Sequence, residues 1–573
     1  MATLQSLLGT AASLSRRGLI ESRSAVHLAR AGVLRPQPPH TLYRMVRALD
    51  RLGQIGAAVV IASLAHGDRV GLIDELGALT FKQLDERSNA VANALRTRAI
   101  GERDCVGILC RNHRGLFDAT FGGGKVGTRL LYLNTDFAGP QLRDVCEREG
   151  VTLLIHDQEY HELVESIQPS HGKVLAWTDD VTVRTRARAA GETLEQLIRS
   201  SSKSPPPEPS RPAAIVLLTS GTTGTPKGAA RQQGHSLHPI GALLSKVPYR
   251  AAESTFVAAP LFHALGFTQA VLAVILGCTT IVQRRFDPEA VLDAITELRP
   301  TALVVVPVML QRIVAQLEAE PQGRWDTGSL RVVFLSGSQL EIELVRRAQR
   351  TIGDKLYNFY GSTEVAWATF ATPDDLRAAP GTAGRPPFGT IVRLFDEQGR
   401  RVTGVGQVGR IFVGNSFQFE GYTGGGKKEM LEGLMSTGDV GHFDAAGRLF
   451  IDGRDDDMVI SGGENLFPGE VEELLVSHEA IEEASVIGVD DPEFGKRLAA
   501  FIVPRRGRTL TEDEVKEFVK HNLARYKIPR DVRFIEELPR TPTGKVLKRA
   551  LRDLHSESAG AQESPGAPSA LSE

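Results

Sequence analysis

The chain has 573 residues, more than one compact core sustains, so at least two domains are expected. With 42% hydrophobic and 24% charged residues it has the composition of a soluble globular protein, and four cysteines in such a length exclude a disulfide scaffold and fit a reduced, cytoplasmic setting. A net charge of −2 lacks the basic surplus of an electrostatic nucleic-acid binder, so small-molecule partners are expected and nucleic acid is not.

The first 35 residues hold five arginines and one acid, Glu21. Three readings stay open: a cytosolic arm with helical turns, an amphipathic segment resting on a membrane surface, and an organelle transit peptide. The arm is set at residues 1–45, with peripheral membrane contact through it as a candidate. The apolar run Ile55–Ala65 is too short to span a membrane, which needs about 20 residues.

From about residue 70 the chain alternates strand-like and helix-like runs. Thr80–Leu95 reads as a helix with Leu84, Ala92 and Leu95 on one face, and Cys105–Arg111 reads as a buried strand. Cys105 and Cys110 fall in that strand and are expected to pack as small hydrophobes. Ser200–Pro212 is a Pro/Ser-rich surface loop within the domain. The rhythm continues to about residue 450 and predicts an α/β domain over 46–455, with mostly parallel sheets covered by helices. Beyond it, charged amphipathic helices and short strands predict a small α+β domain over 456–553, one helix opening with a Thr511/Glu514 capping box. Residues 554–573 have a disordered composition.

The stretch LLTSGTTGTPKGA, Leu217–Ala229, has the glycines, hydroxyls and lysine of a phosphate cradle. A Walker loop would need glycine before Lys227 and Ser or Thr after it; Pro226 and Gly228 stand there instead, and proline has no N–H to offer a phosphate. The glycine-rich runs Phe121–Gly127 and Tyr422–Met430 also lack Ser or Thr after their lysines and are read as structural.

TSGTTGTPKG resembles the signature loop of the adenylate-forming superfamily, which includes acyl-CoA synthetases, luciferases and peptide-synthetase adenylation domains. NFYGSTE (Asn358–Glu364), STGD (Ser436–Asp439), GRDDDMVISGGENLFPGEVE (Gly453–Glu472) and RTPTGKVLKR (Arg540–Arg549) resemble its further motifs, in the family's order, and the similarity covers about residues 70–553. The overall look is nearest to bacterial fatty-acyl-CoA synthetases.

The resemblance implies a large AMP-binding domain and a small mobile one, with ATP, Mg²⁺ and coenzyme A as reactants. It assigns Thr219, Ser220, Gly221, Thr222, Thr223, Gly224 and Lys227 to the ATP phosphates. Ser336, Gly337 and Ser338 would line adenine and Tyr360 would pack on it, with Gly361, Ser362 and Thr363 completing the turn and Thr363 reaching the α-phosphate. Glu364 would hold Mg²⁺, Asp439 and Arg454 the ribose, and Ser461, Gly462 and Gly463 the CoA tunnel, with Asp456 as hinge. His263, in PLFHALG, would stand at the carboxylate end of the acyl pocket. Lys545 would be the catalytic cation, bridging the incoming carboxylate and the α-phosphate.

PLFHALGF lacks the acid that amino-acid-activating relatives carry, which favours a plain carboxylic acid. The implied activity is a long- or medium-chain fatty acid–CoA ligase that proceeds through acyl-AMP. A fatty-acyl-AMP ligase serving a carrier protein and an aryl- or short-acid–CoA ligase are the rival readings. Three glycines at 122–124, where relatives tend to have alanines, would weaken their helix by about 1 kcal/mol each.

Overall fold

The computed structural model describes residues 17–179, 192–219, 227–231, 236–320, 323–416, 421–422, 428–455, 459–461, 464–466, 468–491, 495–523, 527–541 and 544–562. Two compact units emerge. One comprises the chain up to Leu340 with Val345–Arg393 and Phe412–Thr437; the other comprises Glu341–Leu344, Leu394–Ile411 and the chain from Gly438 onward.

The larger unit is a doubly layered α/β body. Its strands are β1 (Val70–Asp74), β2 (Gly77–Thr80), β3 (Cys105–Leu109), β4 (Arg129–Tyr132), β5 (Val151–Asp157), β6 (Lys173–Trp177), β7 (Ala214–Thr219), β8 (Lys227–Arg231), β9 (Ser254–Val257), β10 (Thr279–Ile281), β11 (Ala302–Val305), β12 (Val332–Leu335), β13 (Leu356–Tyr360) and β14 (Thr369–Ala371). One sheet has the order β14-β13-β12-β11-β9-β10-β1-β2, and the strands from β13 to β1 run parallel. The other includes β8-β7-β4-β3-β5-β6, parallel except for β8. Parallel strands are buried on both faces and read as continuous apolar runs; every residue of β3, β11 and β12 is buried.

Four helices open the unit: α1 over residues 17–30, α2 (Pro39–His66), α3 (Phe81–Thr97) and α4 (Arg114–Val126). Thr80 caps α3 rather than belonging to it. Its hydroxyl accepts from Gln83 N while Gln83 reaches back to the Thr80 N–H, and Leu84, Ala92 and Leu95 are buried. Gly53, at φ 66°, breaks α2 into two halves. By length and composition the whole of Pro39–His66 is long and apolar enough to cross a membrane, which the apolar run Ile55–Ala65 alone is not, yet Ile55, Ala57, Ala58, Val59 and Ala62 are buried within the protein.

The glycines of α4 are a packing device, which corrects the expectation of a weakened helix. A methyl on Gly122 would lie 2.5 Å from Val91 Cγ1, one on Gly123 2.6 Å from Leu130 Cδ2, and one on Gly124 3.1 Å from Gly56 Cα. Helices α3 and α2 and strand β4 approach α4 too closely for any side chain. The adjacent Lys125 is 2% exposed and donates to Asp85, Ser88 Oγ and Asn89 Oδ1, so this run has a structural role. The Pro/Ser-rich loop is pinned by Asn89 and Asn93, which donate to the carbonyls of Ser202, Lys203 and Ser204.

In the second unit, strands Ile481–Asp491, Gly495–Pro504 and Asp531–Phe534 form a sheet that carries helices Pro468–Val476 and Glu512–Asn522. The Thr511/Glu514 capping box forms as expected. The final helix, Lys548–Gln562, runs past Leu554 into the segment expected to be a disordered tail. Its Ser-Glu-Ser-Ala-Gly-Ala-Gln stretch is tolerable in a helix once Leu551 is anchored in the core.

Packing at α4 fixes the sign of a test. Gly→Ala inside a helix ordinarily stabilises by up to about 1 kcal/mol. Gly122→Ala and Gly124→Ala are expected instead to cost about 1–3 kcal/mol by overpacking. Gly18→Ala, in α1 with nothing within 4 Å, should be neutral or stabilising. Urea midpoints of the three variants measure this.

Candidate active site

Strands β9, β11, β12 and β13 are consecutive parallel neighbours, so their carboxyl ends share one edge of the sheet. At about 4.8 Å per strand the edge is roughly 14 Å long. The loops leaving it carry three predicted groups: Pro260–Gly266 after β9, Ser336–Leu340 after β12, and Gly361–Glu364 after β13. Ligands of open α/β sheets bind at such an edge.

The turn after β13 is tightly built. A methyl on Gly361 would lie 2.0 Å from Ala366 O, and Ala366 itself adopts φ 62°. Ser362 Oγ accepts from Glu364 N and Val365 N, both at 3.3 Å, and Ala368 N donates to Tyr360 O. From outside, Asn415 Nδ2 donates to Val365 O (2.7 Å) and Trp367 O (2.8 Å). Tyr360 and Thr363 are half-buried and Glu364 is 9% exposed. A single carboxylate at a strand end suits Mg²⁺, which takes one or two carboxylates and fills its octahedron with phosphate oxygens and water. After β12, Ser336 is buried, Ser338 is half-buried, and Gly337 has φ 103°, a conformation that favours glycine.

His263 stands at the start of helix Ala264–Ile275 but makes no side-chain cap bond. Its ring lies 4.5 Å from that of Phe262, and its Nε2 is buried without a hydrogen-bond partner among the described residues. Desolvation pushes its pKa down to about 4, so the imidazole is neutral at physiological pH. Asn112, at the end of β3, holds this loop: its Nδ2 donates to Ala259 O (3.0 Å) and its Oδ1 accepts from Leu261 N (2.8 Å). The carboxyl ends of the two sheets are thereby tied together.

Beside Asn112, Cys110, His113 and Asp157 bring potential metal ligands within 4.8 Å of one another. His113 Nε2 donates to Asp157 (2.8 Å), its Nδ1 accepts from Gly115 N, and Asp157 also accepts from Arg111 N. With His113 and Asp157 both satisfied and fully buried, this group serves as a scaffold.

Thr219 and Lys227 are paired across the β7–β8 ladder, so the signature lysine opens a strand. A Walker lysine precedes a helix whose N-terminus faces the phosphates, and that arrangement is absent here. Ser220, Gly221, Thr222, Thr223 and Gly224 lie outside the described residues, as do Asp456, Gly462 and Gly463; Ser461 pairs with Glu464 on flanking strands.

In the second unit, Asp439 and Arg454 face each other across strands Leu434–Phe443 and Leu449–Arg454, their side chains 3.5 Å apart. Lys545 sits on a turn in which Thr541 N donates to Lys545 O (2.8 Å) and Lys545 N to Thr541 Oγ1 (3.1 Å). Gly544 is left-handed at φ 77°, and Arg540, paired with Glu483, donates to Gly544 O. Asn112 and Asn415 escape sequence reasoning, since an asparagine that holds carbonyls distant in sequence leaves no local signal.

The profile described as AMP-binding enzyme matches residues 62–423, and that of the AMP-binding enzyme C-terminal domain matches 470–545. The indoleacetate–CoA ligase of Aromatoleum aromaticum is 31% identical over 83% of this chain and 93% of its own length. A feruloyl-CoA synthase from Amycolatopsis is 33% identical over 83% and 94%. The solved o-succinylbenzoate CoA synthetase from Bacillus subtilis, bound to its acyl-adenylate, superposes with a TM-score of 0.73 at 25% identity, over 87% of this chain and 98% of that one.

Two outcomes check the geometry. Because His263 stays neutral down to about pH 4, adenylation rates of the parent and His263→Gln should run parallel from pH 5 to pH 8. A limb with a midpoint between 6 and 7 that vanishes in the variant would contradict the burial argument. The depressed pKa also means that protonation favours the unfolded chain, so this site lowers stability as pH falls from 6.5 towards 4. Asn415→Ala removes two hydrogen bonds from the Glu364 turn and should cost about 1–3 kcal/mol there, read as a raised KM for MgATP.

Proposed function

The chain belongs to the AMP-binding enzymes, and from that premise we propose that it is an AMP-forming acid–CoA ligase for a hydrophobic carboxylic acid. In the first half-reaction the carboxylate oxygen attacks the α-phosphorus of ATP and pyrophosphate leaves. In the second the CoA thiol loses its proton, its sulfur attacks the acyl carbonyl, and AMP leaves.

The observation that carries the reading is the shared strand edge. It offers an adenine-side turn, Ser336–Ser338, a phosphate- and metal-side turn, Tyr360–Glu364, and an uncharged acyl-side group, His263. Mg²⁺ held by Glu364 would neutralise charge on the phosphates. The hydroxyl-rich segment between Thr219 and Lys227 supplies donors for the β- and γ-phosphates, and Asp439 with Arg454 the ribose contacts. Lys545 offsets repulsion between two anions, the step that most needs a fixed cation. Its place in the smaller unit makes closure of that unit a requirement for adenylation. Rotation about Asp456 would then withdraw it and bring Ser461–Gly463 to the pantetheine arm.

The acid is apolar on two counts. The loop around His263 carries no charged side chain, and the ring next to it is Phe262. The motif resemblance favours a long- or medium-chain fatty acid. The indoleacetate and ferulate of the named relatives favour an aryl acid. A panel of fatty, aryl and short acids, each with MgATP and with or without CoA, separates them through AMP and pyrophosphate release. AMP release that depends on CoA and on one hydrophobic class is expected. If no acid supports it, the assignment fails; if AMP is released only with a carrier protein that bears a free phosphopantetheine thiol, the carrier-loading reading replaces it.

A further inference from the structure

Among the described residues, fourteen large hydrophobic side chains are exposed, and six of them lie between residues 19 and 46: Leu19, Val26, Leu34, Leu42, Tyr43 and Val46. This segment lies ahead of the part matched by the AMP-binding profile, which begins at residue 62. Single exposed hydrophobics are ordinary, but this clustering is not.

The arm is not loosely draped. Its inner face is built into the larger unit. Glu21 accepts from Ser236 Oγ (2.5 Å) and Leu237 N (3.0 Å), and Ser24 is fully buried against Gly241, where a methyl would lie 2.5 Å from Ser24 Cβ. His27 stacks on Phe388 at 5.5 Å, Leu28 is 3% exposed, and Ala251 N donates to Ala31 O. With α1 anchored in this way, Leu19 and Val26, seven residues apart, project from its other face, as Leu42 and Val46 do along the first half of α2.

Charge tells what covers that face. Residues 17–51 contain seven arginines, all exposed, against Glu21 and Asp50, while the whole chain has a net charge of −2. The rest of the sequence is therefore acidic. A two-fold contact of this face with itself would set one cationic arm against another, whereas a sheet of lipid phosphates accepts both the arginines and the apolar side chains. We propose that the outer face of residues 17–51 docks the protein on an anionic membrane surface, with Leu42, Tyr43 and Val46 entering the headgroup layer. The second half of α2 is buried in the core, so the contact made by the outer face is peripheral.

The test uses the full chain sedimented with phosphatidylcholine vesicles, with and without phosphatidylglycerol, at low and high salt. Binding is expected only with phosphatidylglycerol and should weaken as salt rises. Leu42→Ser/Tyr43→Ser/Val46→Ser and, separately, Arg30→Glu/Arg44→Glu should each lower vesicle affinity about tenfold or more. Neither set touches the candidate active site, so AMP release with a water-soluble acid should keep the parent rate and show that the variants fold. Absence of binding to phosphatidylglycerol vesicles, or binding that both variants leave unchanged, overturns the proposal. So does a dimer in light scattering that the serine variant dissolves, which would assign the face to a second copy.

Discussion

The parallel register of β9, β11, β12 and β13 is the constraint on which the rest of the larger unit depends. Ladder hydrogen bonds between these strands fix where each ends, and the groups assigned to adenine, to the metal and to the acyl pocket at Ser336–Ser338, Tyr360–Glu364 and His263 leave from those ends. Two asparagines then lock the loops. Asn112 fastens the His263 loop to the neighbouring sheet, and Asn415 fastens the Glu364 turn through two carbonyls. Glu364 and His263 owe their positions to backbone that these side chains hold, which is how a site made of loops acquires the rigidity of the sheet beneath it.

The same economy of space shapes the outer layer. Helix α4 sits between α2, α3 and β4, and three successive glycines let all of them approach. Gly56 of α2 and Gly124 of α4 meet backbone to backbone, so the helix that follows the N-terminal arm is seated directly on the catalytic body. Local helix propensity is sacrificed for tertiary contact, and the buried Lys125, with its three side-chain acceptors, holds the crossing to α3.

Much of this was legible in the sequence because the signals are local. The β3 strand announces itself as an unbroken apolar run, the capping box at Thr511 sits at a fixed spacing, and Pro226 with Gly228 rules out a Walker loop from the sequence alone. What stayed hidden depends on distant partners. The glycines of α4 looked like a liability until Val91, Leu130 and Gly56 were seen against them. Gly337 adopts φ 103°, a conformation that calls for glycine and that the sequence does not announce. The tail composition looked disordered, yet the helix continues to Gln562 because Leu551 is fixed in the core. The acyl class was hidden for the same reason, since an apolar pocket is assembled from scattered residues that no spacing reveals.

The central claim is that the cation for adenylation resides on Lys545 of the smaller unit and serves only the first half-reaction. Gly544 beside it is left-handed, and Thr541 is bonded to Lys545 at both its backbone N and O. The measurement that tests this most directly is a single-turnover comparison of Lys545→Ala with the parent, in each half-reaction separately. Acyl-AMP formation from acid and MgATP should fall by about 10²–10³-fold, while thioester formation from supplied acyl-AMP and CoA should stay within a few-fold of the parent. Equal loss in both halves, or loss in neither, would contradict the account.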